Sequence, residues 1–191
     1  MRLLITGLVV FLGAHSVRIV AEEWRAEMIG RVGLNVWKGL YSLVSLAGFA
    51  LVVWGYGRAR VGAIELWHTP GWLHYPAWLL MLLSFVLLAA VYVPRNRIKT
   101  ALGHPMIAGV TVWALAHLLT NARAADVMLF GSFLVWSVIA FHSAGRRERA
   151  AGTSEPAGTW ANAAVAVAIG LAVWILFIGY LHSRLIGVSV I

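Results

Sequence analysis

Apolar residues gather in six blocks, at about residues 3–20, 37–56, 77–93, 105–122, 127–142 and 161–180, with short polar stretches between them. A helix of about 20 apolar residues crosses the ~30 Å hydrocarbon core of a bilayer. The pattern therefore predicts an all-α integral membrane protein, six transmembrane helices in a bundle, forming a single membrane domain over residues 1–191. On the first block Leu4, Leu8, Phe11, His15, Ile19 and Glu22 share one helical face, an apolar stripe that turns polar towards one surface. Arg2 and the run Leu3–Leu12 imitate a secretory signal, but the apolar pattern continues to Val20, which predicts a retained helix. Ala21–Val36 mixes acidic and basic residues with Trp24, Met28 and Ile29, as a short helix lying in the interface would. The fourth block is short for a crossing. Ala144–Thr159 (AGRRERAAGTSEPAGT) is polar and low in complexity and predicts a mobile loop.

Composition supports this picture: 61% of the 191 residues are hydrophobic and 12% charged, against roughly half and a quarter in a soluble domain. The net charge of +8 sits in short loops, so it predicts orientation and anionic headgroups as partners rather than nucleic acid. With six crossings, one side carries Arg2, Arg58, Arg60, Arg123 and Arg184. The other carries Arg18, Arg25, Arg31, Lys38, Arg95, Arg97, Lys99, Arg146, Arg147 and Arg149. The richer side is cytoplasmic by the positive-inside rule, which puts both termini on the non-cytoplasmic side. There is no cysteine, so disulfides and thiolate ligands are excluded. No acidic residue falls inside the predicted spans, and no nucleophile constellation, P-loop or dinucleotide fingerprint is present.

Seven histidines invite a metal or haem reading. His68 and His74 lie among interfacial aromatics and read as anchors; His142 and His182 lie at span ends and read the same way, with no assigned role for His68, His74 or His182. His15 and His117 fall inside apolar spans, where an ionisable group is costly unless paired, coordinated or facing a cavity. A neutral imidazole bonded to a neighbouring helix satisfies that condition as well as a ligand does. His104 and His117 are thirteen residues apart, ~20 Å along a helix, and cannot share an ion. Helices running in opposite directions set His15 and His117 at depths ~10 Å apart, so a shared haem needs an inclined plane or shifted helices. A competing metal set is His15, His104 and His142, all towards the cytoplasmic side. Arg18, one turn from His15, offers a cation for a haem propionate or snorkels to the headgroups. Around His117 the face of Met106, Val110, Trp113, Ala114 and Asn121 forms an apolar slot suited to a porphyrin, a polyene or another helix.

The run HPMIAGVTVWALAHLLTN at His104–Asn121 resembles the signature of the NnrU family of bacterial membrane proteins; FLGAHSVR in the first span and LFGSF at Leu129–Phe133 continue the resemblance across nearly the whole chain. That family is named for a link to nitrite and nitric oxide reductase expression. It is also remotely similar to the membrane zeta-carotene isomerases, haem b proteins that isomerise a central cis double bond. The resemblance implies a bundle of helices in a bacterial inner membrane and haem b as cofactor. His15 and His117 stand where the isomerases' ligands stand, with His104 matching the His of the His-Pro pair. It implies a haem-dependent cis–trans isomerase of a lipophilic polyene, or a non-enzymatic factor supporting nitric oxide reductase through a membrane protein partner. A third reading, a small transporter, rests on the spacing Arg2 to His15 repeating that of His104 to His117, as in two inverted halves of three helices.

Overall fold

The computed structural model describes residues 1–152 and 156–188. Nine α-helices follow one another among them: α1 (Arg2–Val20), α2 (Glu22–Val32), α3 (Leu34–Ala59), α4 (His74–Tyr92), α5 (Arg97–Leu102), α6 (Pro105–Thr120), α7 (Ala124–Ala151), α8 (Trp160–Leu176) and α9 (His182–Ile186). No strand occurs among the described residues. Among the described residues five segments are long and apolar enough to cross a membrane: Arg2–Val20, Leu34–Ala59, Gly71–Tyr92, Ala124–Ala151 and Trp160–Ile186. α6, at 16 residues, spans about 24 Å. Large apolar side chains point outward from these helices, among them Val9, Leu43, Leu46, Leu79 and Val135. A surface of that kind is stable against lipid and not against water.

Close approach of glycine to backbone sets the tightest pairing. A Cβ on Gly7 would lie 2.5 Å from the Val52 amide nitrogen, and one on Gly55 would lie 2.5 Å from that of Leu4. α1 and α3 therefore meet backbone to backbone, around the fully buried Leu4. α4 packs on α6 and on α8, α6 on α7, and α7 closes onto α1. Within each half of three spans the first helix packs on the second, α1 on α3 and α6 on α7, whereas between the halves α4 packs on α6 and α8 makes no contact with α1.

Loop clasps hold the two ends. On one, Ile64 and Leu66 exchange backbone hydrogen bonds with Ala124 and Ala122. On the other, Asn96 is fully buried at the α4–α5 corner. Its Nδ2 donates to Ala90 O and Val93 O, and its Oδ1 accepts from the Lys99 amide. Gly158 presses against that corner, where a Cβ would run into the Asn96 carbonyl, and Arg97 stacks over Trp160 at 4.5 Å. Loss of the cap and two orphaned carbonyls predicts that Asn96→Ala costs about 2–4 kcal/mol. Thermal unfolding in detergent measures it, and a melting point equal to the parent's would refute this account of the corner.

Two boundaries differ from the sequence pattern. The region 144–159 is helical through Ala151, because α7 continues on the polar side as a 28-residue helix closed by Gly152 in the left-handed conformation; residues 153–155 lie outside the described residues. Asp126 also falls inside a long apolar helix rather than before it. It is buried in the first turn of α7, where its carboxylate accepts from the Tyr56 hydroxyl at 2.7 Å and from the Arg123 amide. The interfacial helix read from Ala21–Val36 is α2, with Gly33 at its end.

Candidate functional site

The two histidines inside the spans share one local geometry. His15 Nδ1 donates to Phe11 O at 2.7 Å, and His117 Nδ1 donates to Trp113 O at 2.9 Å. A carbonyl only accepts, so each Nδ1 carries the proton and each Nε2 is left with a free lone pair. Anchoring of one ring nitrogen on a carbonyl is the arrangement that orients an imidazole for metal ligation through the other. The pattern was visible in the chain: Phe-Leu-Gly-Ala-His at Phe11–His15 and Trp-Ala-Leu-Ala-His at Trp113–His117 both place an aromatic four residues before the imidazole and alanine just before it.

The structure does not bring these two imidazoles together. His15 stacks near Phe11 at 4.3 Å and meets Trp136 edge-on at 5.9 Å, whereas His117 stacks on Phe130 at 4.4 Å with ring planes 23° apart. Phe130 and Trp136 are six residues apart on α7, about 9 Å of helix axis. Phe11, Phe133 and Trp113 fill the interval, with successive centroids 5.8 and 5.4 Å apart. An iron bound at roughly 2 Å by each imidazole would need this wall to open.

Each histidine has its own surroundings. Beside His15, Trp136 leads into a groove of about 660 Å³ between α1 and α7, lined by Leu12, Gly13, Ser16, Gly131, Ser132 and Val135 among others. At Gly13 and Gly131 an added Cβ would meet nothing within 4 Å. Glycine in a helix interior costs about 1 kcal/mol against alanine, and here no helix of the chain uses the space. The groove opens on the lipid-facing surface, at Val9 and Val135. Arg18, one turn beyond His15, is largely exposed and 3.5 Å from Glu22. His117 instead lines a small, partly open cavity of about 50 Å³ between α4, α6 and α8, with Trp78, Met81, Phe85, Trp174 and His182. Trp113 forms part of the wall and supplies the carbonyl that holds His117.

The remaining histidines are scattered. His104 caps α6 ahead of Pro105 and lies 3.3 Å from Glu148 of α7, a partner hidden in the sequence because 144–159 read as a loop. His142 is exposed, so it stands apart from any buried set with His15 and His104. His68 is almost fully exposed and His74 donates to Gly71 O on the surface. Among the described residues no three His, Asp or Glu side chains gather into a group able to hold a metal ion. The chain matches the family model described as NnrU protein over residues 3–190. No curated protein and no solved structure matches it.

Proposed function

The chain belongs to the NnrU family, and on that premise we propose that it is an inner-membrane protein of six crossings that holds haem b on His15. One observation carries the reading: an imidazole inside an apolar helix with Nδ1 tied to Phe11 O and Nε2 free, separated only by the edge-on Trp136 indole from a groove whose two glycine faces are used by nothing in the chain. Haem supplies four nitrogens itself and needs only one or two protein ligands, so a single well-placed imidazole is enough to hold it. The groove has the volume of a cofactor site, roughly 300–1,000 Å³; the cavity at His117 does not. His15 would hold the group, Gly13 and Gly131 would leave room for it, and Arg18 would offer a cation to a propionate. Haem bound in this way would supply an open iron face for a small diatomic or for the double bond of a lipophilic polyene. Because the groove opens to lipid, a polyene reaches it without crossing water, and the corresponding enzyme would be a cis–trans isomerase. Chain supplied with haem and purified in detergent is expected to show a Soret band of the five-coordinate, high-spin type. Its absence would end the proposal.

Six crossings require α6 to span, with the loops at its ends thinning the membrane locally or covering the deficit. Both termini then lie outside, on the side poorer in Lys and Arg. Reporters fused to either end are expected to be active only when they work in the periplasm. A fusion active only in the cytoplasm would reverse the topology.

A further inference from the structure

The cavity at His117 is too small for a porphyrin, yet it is built from groups that are expensive to bury without a purpose. His117 Nε2 is freed by the Trp113 carbonyl, and His182 Nε2 is freed in the same way, because His182 Nδ1 donates to Val188 O at 2.8 Å. Met81 lines the same space from α4. His182 reaches it through an irregularity. In an unbroken α-helix His182 would sit about 80° around the axis from Trp174, but Phe177–Leu181 form a π-helical turn. A wider turn rotates less per residue, so Trp174, Ile178 and His182 all line the cavity, with Phe177 against the His182 ring at 5.9 Å. Single π turns inside α-helices recur at functional sites.

We propose that Met81 Sδ, His117 Nε2 and His182 Nε2 form a site for one cuprous ion, a second site that does not rest on the haem reading. The donor set is neutral: the nearby carboxylate, Asp126, is already committed to the Tyr56 hydroxyl and the Arg123 amide. The cost of burying charge in a low-dielectric interior rises steeply with that charge, so three neutral donors favour a monovalent over a divalent ion. Thioether and imidazole together select Cu(I) among the monovalent ions. The indoles of Trp78 and Trp174 flank the same space. A cavity of about 50 Å³ admits an ion and excludes a porphyrin. Entry is from the α9 end, where His182 is only part-buried.

The test is competition for Cu(I) between the full-length protein in detergent and a coloured cuprous chelator, without oxygen, with silver(I) as a redox-inert probe in parallel. One ion per chain is expected. Met81→Leu, nearly isosteric and so safe for the fold, and His182→Ala are each expected to weaken binding at least about tenfold. His142→Ala, an exposed histidine, should leave it unchanged. Absence of binding in the parent protein overturns the proposal, as does equal affinity in Met81→Leu and His182→Ala, the mark of surface histidines binding the metal. A Soret band measured on the same samples reports on the haem proposal separately, since either signal can be present without the other.

Discussion

A chain carrying Gly55→Val is expected to lose the α1–α3 pair and with it most of its folded yield. A Cβ at that position falls 2.5 Å from the Leu4 nitrogen and 2.7 Å from the Leu4 Cα. These are backbone atoms, so no rotamer change can relieve the contact, and the helices must separate. Overpacking in a core typically costs 1–3 kcal/mol where side chains can shift. Here the whole seam shifts, because the contacts of Gly7 with Val52 and Gly48 with Phe11 depend on the same separation. A loss of about 3 kcal/mol or more is therefore expected, a large part of the 5–15 kcal/mol that holds a typical protein folded. Gly57, two residues on, meets nothing within 4 Å, and Gly57→Ala should be neutral or slightly stabilising. Detergent melting curves for both variants decide the matter. If Gly55→Val melts with Gly57→Ala, the seam is not what pairs these helices.

His15→Ala is expected to abolish the haem spectrum, while His117→Ala leaves it nearly unchanged. The asymmetry follows from depth and space. The α7 residues that touch the two rings are about 9 Å apart along the axis, and Phe11, Phe133 and Trp113 occupy the interval. Only His15 adjoins a volume of cofactor size, through Trp136. A bis-histidine haem would instead give a low-spin spectrum that both variants destroy. That result would mean that the aromatic wall opens to admit the ring, and it would restore the pairing that the family resemblance implies. Filling the groove offers an independent check, since Gly131→Leu occupies space that no other part of the chain uses. It should lower haem content without lowering the melting point.

His15 and His117 show how far the chain's pattern could be read. Burial of an imidazole within an apolar span marks it as unusual at the level of sequence, because its cost depends on polarity and depth alone. The i−4 carbonyl that fixes each tautomer is also a local matter, set by helix geometry and present in the two aromatic-x-x-Ala-His stretches. Which cavity each ring faces is not local. It depends on which helices lie beside α1 and α6, and uniformly apolar helices give no signal of rotation about their axes. His182 reads as an anchor from its place at a span end, and its approach to the cavity is hidden in the sequence because the π turn at Phe177–Leu181 departs from 100° per residue. Glu148 was lost to the site of His104 because its charged surroundings, GRRERAA, resemble a loop when they are the solvent-side extension of a long helix.

The sequence by itself determined that this is an all-helical chain with several helices able to cross a membrane, and it determined family membership. Blocks of apolar residues and a long motif carry that information without reference to neighbours. It also determined which two imidazoles fall inside apolar spans. Tertiary structure alone decided that these imidazoles meet α7 six residues apart with aromatic rings between them, that one lies behind Trp136 at the edge of an open groove, and that the other lines a small cavity with His182 and Met81. The physical reason is that hydrophobic burial in a membrane is nearly indifferent to which apolar face meets which. Close contacts such as those of Gly7 and Gly55, together with a few buried hydrogen bonds such as those of Asn96 and Tyr56, choose the arrangement.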